Sequence, residues 1–388
     1  MIIFFWACLF IVMYTFVGYG LLLYILIRIK RFFTRPKKFL TDAALPTVTL
    51  LVAAWNEELI IGDKIKNTLL LDYPKELLQI IFITDGSTDL TPDLIYPYKE
   101  IVLMHNGARH GKMAAIKRAM PGVTGEIIVF SDANTFLNQQ ALRELVKHYQ
   151  NEKVGAVAGE KRILVNQHAD ASSAGEGFYW KYESRLKKWD YELYSNVGAA
   201  GELFSIRASL YEPVESDTII DDHMIAMRIA EKGYLIAYEP AAYASETASA
   251  NTAEELKRKI RIAAGGIQSI FRLKVAANPF RYPLLTFQYL SHRVLRWTIT
   301  PFLLVLALLA NIIIVSQYNE RFYLFLLMAQ FAFYGLALLG MLMERRNIRL
   351  KPLFIPYYFC MMNYAVAAGI LRYINQNQSA AWERSLRK

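Results

Sequence analysis

The chain of 388 residues carries 44 Lys and Arg against 34 Asp and Glu, a formal charge of +10 at neutral pH. Hydrophobic residues make up 54% and charged ones only 20%, whereas a soluble domain runs at roughly 45–50% apolar and about 25% charged. This excludes a disordered or fibrous chain and argues against a wholly soluble one, while Cys8 and Cys360, each inside an apolar run at opposite ends, argue against a disulfide framework or a zinc cluster.

Residues 2–27 form an uncharged apolar run, long enough to cross a hydrocarbon core that takes about 20 helical residues. No basic residue precedes it and no small-residue cleavage site follows, so it reads as an anchor over 1–30 and not as a signal peptide. Arg28, Lys30, Arg31, Arg35, Lys37 and Lys38 come next, before the first acid at Asp42. Positive residues mark the inner flank, which puts the following residues on the cytoplasmic side.

From 45 to 280 short apolar runs alternate with helical patterns. Val48–Ala54, Leu78–Ile83, Glu100–His105, Glu126–Phe130 and Val154–Ala158 read as strands, with helices near 57–70, 112–119 and 139–149. Such alternation predicts an α/β domain with a mostly parallel sheet covered by helices on both faces. Ligands of these sheets bind beyond the carboxyl ends of the strands.

Polar residues cluster at those ends: Trp55-Asn56-Glu57-Glu58, Asp85-Gly86-Ser87-Thr88-Asp89 and Ser131-Asp132-Ala133-Asn134. Each alone is an ordinary turn or helix cap. Carboxylates at one end of adjacent strands repel one another unless a cation or a donor-rich ligand sits among them, so together they point to a shared site. His110-Gly111-Lys112 then opens a helix, where Lys112 reads either as a reach toward a diphosphate or as a solvated helix-start lysine. It is not a P-loop, since Gly107 is one residue too close and Met113 stands where Ser or Thr is required. Asp221-Asp222-His223 begins the amphipathic helix 224–231. It reads either as an acid-capped helix start or as a general base, because adjacent carboxylates raise each other's proton affinity. Lys257, Arg258, Lys259 and Arg261 follow. They read as a face for anionic headgroups or as a guanidinium fork for a diphosphate.

Residues 283–297 mix Leu284, Leu285, Phe287, Tyr289 and Leu290 with His292, Arg293, Arg296 and Trp297, a pattern expected of a helix lying in the membrane interface with snorkelling arginines. Three further spans are expected at 298–315, 322–343 and 353–371, within 298–373, with Asn311, Gln330 and Asn363 bonding between helices. Arg345, Arg346, Arg349 and Lys351 place the loop at 344–351 inside. Three crossings then put the basic tail, 374–388, outside, whereas Arg372, Arg384, Arg387 and Lys388 argue for the inside.

In this order the features resemble the family 2 glycosyltransferases, in the membrane-embedded branch that includes cellulose, chitin, hyaluronan and poly-N-acetylglucosamine synthases. The resemblance implies a GT-A fold and an inverting transfer from a nucleotide sugar, expected to be UDP-linked, to a growing polysaccharide at the cytoplasmic face of the inner membrane. By resemblance, Ala53, Asn56 and Glu57 belong to the nucleotide-contacting stretch, Asp85 holds the base or ribose, and Lys112 is a further nucleotide contact. Asp132, with Asn134, corresponds to the D-x-D motif that places Mg²⁺ or Mn²⁺ on the diphosphate. Gly198, Gly201, Glu202 and Asp221 fall on the acceptor side, and Asp222 on the catalytic base. Arg258 and Arg261 align with the Q/R-x-x-R-W motif that serves the departing diphosphate.

Two departures stand out. Asn134 replaces the second motif aspartate, which puts more weight on Asp132, and Ile262 replaces the motif tryptophan that stacks on the acceptor sugar in processive enzymes. Trp180, Tyr182 or Trp189 are the alternative aromatic platforms in the helical stretch 176–194. The competing readings are a transferase adding one sugar to a lipid acceptor and a catalytically silent membrane partner of the same fold. The expected partners are the nucleotide sugar, a polysaccharide or lipid-linked acceptor and membrane lipids, with a partner subunit or self-association where a polymer has to be exported. Nucleic acid is not expected, because the positive charge clusters beside the spans.

Overall fold

The computed structural model describes residues 1–34, 40, 44–164, 171–247, 251–318, 320–346, 348 and 350–375. Arg35, Lys37, Lys38, Asp42 and Arg349 of the basic flanks lie outside the described residues, as does the tail beyond 375 with Arg384, Arg387 and Lys388.

Among the described residues the middle of the chain is built on eight strands: β1 (Val48–Ala54), β2 (Leu78–Asp85), β3 (Val102–Asn106), β4 (Ile127–Asp132), β5 (Phe136–Leu137), β6 (Val154–Leu164), β7 (Phe204–Arg207) and β8 (Leu235–Thr247). They form one sheet in the order β3-β2-β1-β4-β7-β6-β8-β5. The first four run parallel, with Ala54 beside Thr84 and Ala53 beside Asp132, so their carboxyl ends share one edge as the alternation predicted. Beyond them the sheet is mixed. β7 sits antiparallel between β4 and β6, and β6 pairs in parallel with β8.

β1 is buried at every residue, as a central strand covered on both faces must be. Its alternate side chains feed two cores. Val48, Leu50 and Val52 face Ile61 and Ile65 of the Ile61–Leu69 helix, and Leu51 faces the side that holds Ile116 and Met224. Burying each such side chain contributes about 1.5–3 kcal/mol, and both layers hold the strand ends in a fixed register. Phe204 of β7 stacks on Phe130 of β4, ring centroids 4.6 Å apart, which seats the antiparallel strand.

Among the described residues, four helices are long and apolar enough to cross a membrane: Ile2–Phe33, Thr300–Gln317, Arg321–Glu344 and Pro352–Ile374. Asn311 donates to Gln330 at 2.8 Å, the interhelical bond expected of these residues, whereas Asn363 donates to the Phe359 carbonyl of its own helix at 2.9 Å. The last helix packs closely on the basic helix Thr252–Arg272. A Cβ at Gly369 would stand 2.6 Å from that of Ala263 and 2.9 Å from the Ala264 nitrogen, an approach only glycine permits.

Residues 283–297 are helical throughout, with a π-turn at Leu290–Val294, but they do not present their polar groups as an interfacial helix would. His292 is fully buried between Asp190 at 2.5 Å and Glu183 at 3.1 Å. Arg293 and Arg296 both turn to Glu183, each at 2.9 Å, instead of snorkelling. The reason is Glu183 itself: a carboxylate 2% exposed in its side chain has to be compensated where it stands. Tyr19 of the first apolar helix donates to Asp190, and Lys30 caps the Glu192 and Leu193 carbonyls at 2.7 and 2.8 Å. The long helix Ala171–Leu193 is therefore bolted both to the first apolar helix and to the segment before the second.

Candidate active site

A cleft of about 1230 Å³ opens at the carboxyl ends of β1 and β4 and runs to the last apolar helix. Glu57, Lys112, Asp132, Asn134, Gly201 and Glu202 line it, together with Asp221, Asp222, Arg258 and Arg261.

Its centre is set by three elements. β4 ends on Asp132, the Lys112–Ala119 helix starts with Lys112, and the Asp221–Glu231 helix starts with Asp221 and Asp222. The Lys112 ammonium lies 3.0 Å from Asp132 and 3.3 Å from Asp221. The outer oxygens of Asp132 and Asp222 and the Lys112 nitrogen each lie 3.6 Å from the point a Cβ on Gly201 would occupy. Gly201 thus marks the empty centre of the cluster.

The electrostatics follow from this crowding. Burial alone would lower the Lys112 pKa, but Asp132, Asp221 and Asp222 outweigh it and hold the ammonium protonated well above the usual lysine range. Burial pushes the Asp132 carboxyl up, with Lys112 opposing it. Asp222 is raised furthest, to about 7, first by burial and then by the charge of Asp221. A carboxylate poised near neutral pH has the proton affinity a general base needs. His223, lowered to about 3 by burial and by Arg293, is neutral, and its Nε2 has no hydrogen-bond partner among the described residues.

Four expected site residues stand behind the cleft and not in it. Asp85 is 3% exposed, and its carboxylate accepts from the His110 and Gly111 amides at 2.7 and 2.6 Å and from Arg118 at 3.1 Å. It folds the loop that presents Lys112, instead of facing outward to a base or ribose. Ala53 is buried in β1. Asn56, at φ 54°, clasps Thr88 through its side chain and so locks the first loop to the second. Gly198, at φ 127°, is required where it is because a Cβ there would lie 2.4 Å from His223 Nδ1. Arg258 reaches the cleft but is tied to Glu255 at 3.0 Å and Glu246 at 3.4 Å, while Arg261 donates to the Ile219 carbonyl at 3.3 Å.

Of the three candidate aromatics, Trp180 alone lines the cleft. Tyr182 donates to the Phe16 carbonyl at 2.7 Å, and Trp189 packs on Tyr24, both serving to dock the first helix.

Several residues escaped the sequence reading. Lys64 is fully buried behind Asp132, donating to Ser131 at 2.8 Å and to the Thr135 carbonyl at 2.7 Å, and burial lowers its pKa to about 7. Lys161 pairs with Glu202 at 2.5 Å and with Glu246, and holds Glu202 well below the usual carboxylate range against the effect of burial. Lys187 and Arg293 line the cleft farther out. Spacing carried a signal for part of this: Trp180, Glu183 and Lys187 follow at three and four residues, one face of a helix.

Among the described residues no group of three or more His, Cys, Asp or Glu is arranged to hold a metal. Divalent ions on nucleotide phosphates need only one or two protein carboxylates, the phosphates supplying the rest. Asp132 with the Asn134 amide beside it fits that smaller requirement, the more so because crowded carboxylates favour added positive charge.

Residues 49–212 match the glycosyl transferase family 2 model. That stretch carries a glycosyl transferase family 2 domain. The chain is 34% identical over 182 residues to a beta-monoglucosyldiacylglycerol synthase of Nostoc, covering 44% of this chain and 37% of that protein. It is also 28% identical over 235 residues to the poly-beta-1,6-N-acetyl-D-glucosamine synthase of Staphylococcus aureus, covering 58% of this chain and 56% of that one. The matched part thus spans about a third to a little over half of these curated relatives. A mannosyltransferase of Pyrobaculum calidifontis, solved with GDP-mannose and Mn²⁺, superposes with a TM-score of 0.71 at 22% identity, covering 97% of this chain and 100% of that one. That likeness establishes the GT-A type fold.

Proposed function

We propose that the chain is an inverting glycosyltransferase of the inner membrane that moves a sugar from a nucleotide sugar to an acceptor at the cytoplasmic face. The observation that carries this is the meeting of Lys112, Asp132 and Asp222 around Gly201 at the strand ends. Asp222 accepts the proton of the acceptor hydroxyl as that oxygen attacks the anomeric carbon, and its raised proton affinity suits the task. Lys112 and Arg261 face the negative charge that grows on the leaving diphosphate, an electrostatic contribution of several kcal/mol in comparable sites, ~3 kcal/mol for a single donor. Asp132 and Asn134 would hold Mg²⁺ or Mn²⁺, which when bound neutralises that same charge. The Mn²⁺ of the Pyrobaculum mannosyltransferase supports this part of the reading.

Two acceptors are in contention. The Staphylococcus relative supports a growing polysaccharide as the acceptor. The cleft itself favours a lipid-linked acceptor, because it runs to Met362, Ala365 and Val366 of the last apolar helix and has Ile262 where a sugar-stacking tryptophan is expected. Incubating the purified full chain with UDP- and GDP-sugars, with and without Mn²⁺, and following nucleoside diphosphate release tests the activity. Absence of release from every donor overturns it, retention of the donor's anomeric configuration overturns inversion, and a long polymer as product restores the polysaccharide reading.

A further inference from the structure

Lys187 is 7% exposed, lines the cleft, and makes no hydrogen bond or ion pair with any described residue. Its ammonium faces two aromatic rings, Trp180 at 5.5 Å and Tyr238 at 5.7 Å. The carboxylates around it are engaged elsewhere. Glu183 is taken by Arg293, Arg296 and His292, Glu202 by Lys161, and Glu160 accepts from Ser184 at 2.8 Å. Burial lowers the Lys187 pKa, the charge of Glu183 opposes that fall without bonding to the ammonium, and Arg293 adds to it. Trp180 gathers two more ammonium groups, Lys161 at 5.4 Å and Lys259 at 5.2 Å. A buried cation without a partner is costly, and an anion from outside the chain relieves that cost.

The position of this cluster narrows the anion. Glu202 acts electrostatically on both Asp132 and Lys187, and Ile262, Trp297, Met362 and Val366, the last two on an apolar helix, line the same cleft. In the reading above Lys112 and Arg261 serve the donor. An acceptor that fills this cleft has a hydroxyl at Asp222, an anionic group at Lys187 and an apolar tail toward Met362 and Val366.

We propose that the acceptor is a lipid-linked sugar phosphate, its phosphate seated on Lys187 beside Trp180 and its tail leaving along the Lys351–Ile374 helix. This rests on the glycosyltransferase reading above and specifies its acceptor. In the transfer, the bond from the donor's anomeric carbon to the diphosphate oxygen breaks, with its electron pair leaving on the diphosphate. A new bond forms from that carbon to the sugar hydroxyl oxygen of the acceptor, whose proton goes to Asp222, and the acceptor's own phosphate is unchanged.

The test compares two acceptors that bear the same sugar, one on a lipid phosphate and one on a neutral diacylglycerol, presented to the purified full chain in neutral phosphatidylcholine vesicles. The phosphate-bearing acceptor is expected to show a KM about tenfold or more lower, the factor one charge-assisted contact supplies. Lys187→Gln removes most of that difference and Lys187→Arg restores it, while affinity for free nucleoside diphosphate is unaltered. Equal use of both acceptors by the wild type overturns the proposal, a result that needs no variant. A loss of nucleoside diphosphate affinity in Lys187→Gln equal to the loss for the acceptor also overturns it, because the anion is then the donor's. Donor hydrolysis with transfer to neutral lipid or polymer alone sinks the proposal and leaves the activity standing, whereas no donor turnover at all sinks both.

Discussion

The two ends of the cleft differ in the sign of what they lack. At the strand ends three carboxylates, Asp132, Asp221 and Asp222, crowd one ammonium, and burial raises the proton affinity of Asp132 and Asp222. Toward the apolar helices Lys161, Lys187 and Lys259 surround one indole, and the carboxylates nearby are already compensated. Lys161 and Lys259 are paired with Glu202 and Glu255, and Lys187 is not paired in the same way. Leaving that one cation without an ion pair costs stability, a cost a bound anion offsets.

The largest expected effect breaks the acidic end. Asp222→Asn keeps the size of the side chain and removes the base, so transfer falls by about 10²–10⁴-fold, while nucleoside diphosphate binding stays within twofold by calorimetry, about 0.4 kcal/mol. The same change is expected to stabilise the protein at pH 8. A carboxyl held near 7 in the fold and 3.8 in the unfolded chain loses stability as pH rises between those values. Thermal unfolding at pH 4 and pH 8 therefore separates the wild type from the variant only at the higher pH.

Glu183→Gln probes the junction between the two ends. It removes the buried carboxylate that Arg293 and Arg296 share, a loss of about 3–5 kcal/mol. Denaturant unfolding in micelles is expected to show that loss. A change under 1 kcal/mol would mean that water reaches these arginines, about the value of an exposed pair.

How much of this contrast was legible in the sequence depends on which physics set each residue. Asp132, Lys112 and Asp222 sit where a parallel strand ends or a helix begins, and the geometry of such sheets sends those positions to one edge. Asp85 occupies the same kind of position, yet it turns back to the His110 and Gly111 amides, because the loop after β3 folds over it and buried amides need an acceptor. The direction a side chain takes at a strand end is decided by the neighbouring loop, which no local pattern reveals. The segment 283–297 carries a related ambiguity. Apolar residues mixed with arginines look the same whether the charges reach headgroups or a buried Glu183 over a hundred positions away in the chain. The antiparallel strand β7 is only four residues long and carries no turn signal of its own.

Asp221→Asn sharpens the acidic end without abolishing it. In the wild type, kcat/KM is expected to rise with pH through about 7 as Asp222 loses its proton, then to level. With Asp221 neutral the repulsion that raises Asp222 is gone, so the midpoint moves down by about one unit. Lys112→Met moves it the other way, since the ammonium opposes the rise. Opposite shifts of one limb in two variants report on a single titrating group, and an unmoved midpoint assigns the proton to another residue.

The smallest effect belongs to Trp180→Leu at the basic end. The indole is the surface on which three ammonium groups converge at 5.2–5.5 Å, and each such contact is worth about 0.5–1 kcal/mol. Losing the ring is expected to raise the acceptor KM about three- to tenfold, a range of 0.7–1.4 kcal/mol, with kcat nearly unchanged because Asp222 is not touched. An equal fall in kcat would mean that the indole holds the acceptor sugar against the reacting carbon. The two ends would then act as one surface, and the division between an acidic end that does chemistry and a basic end that holds the acceptor would fail.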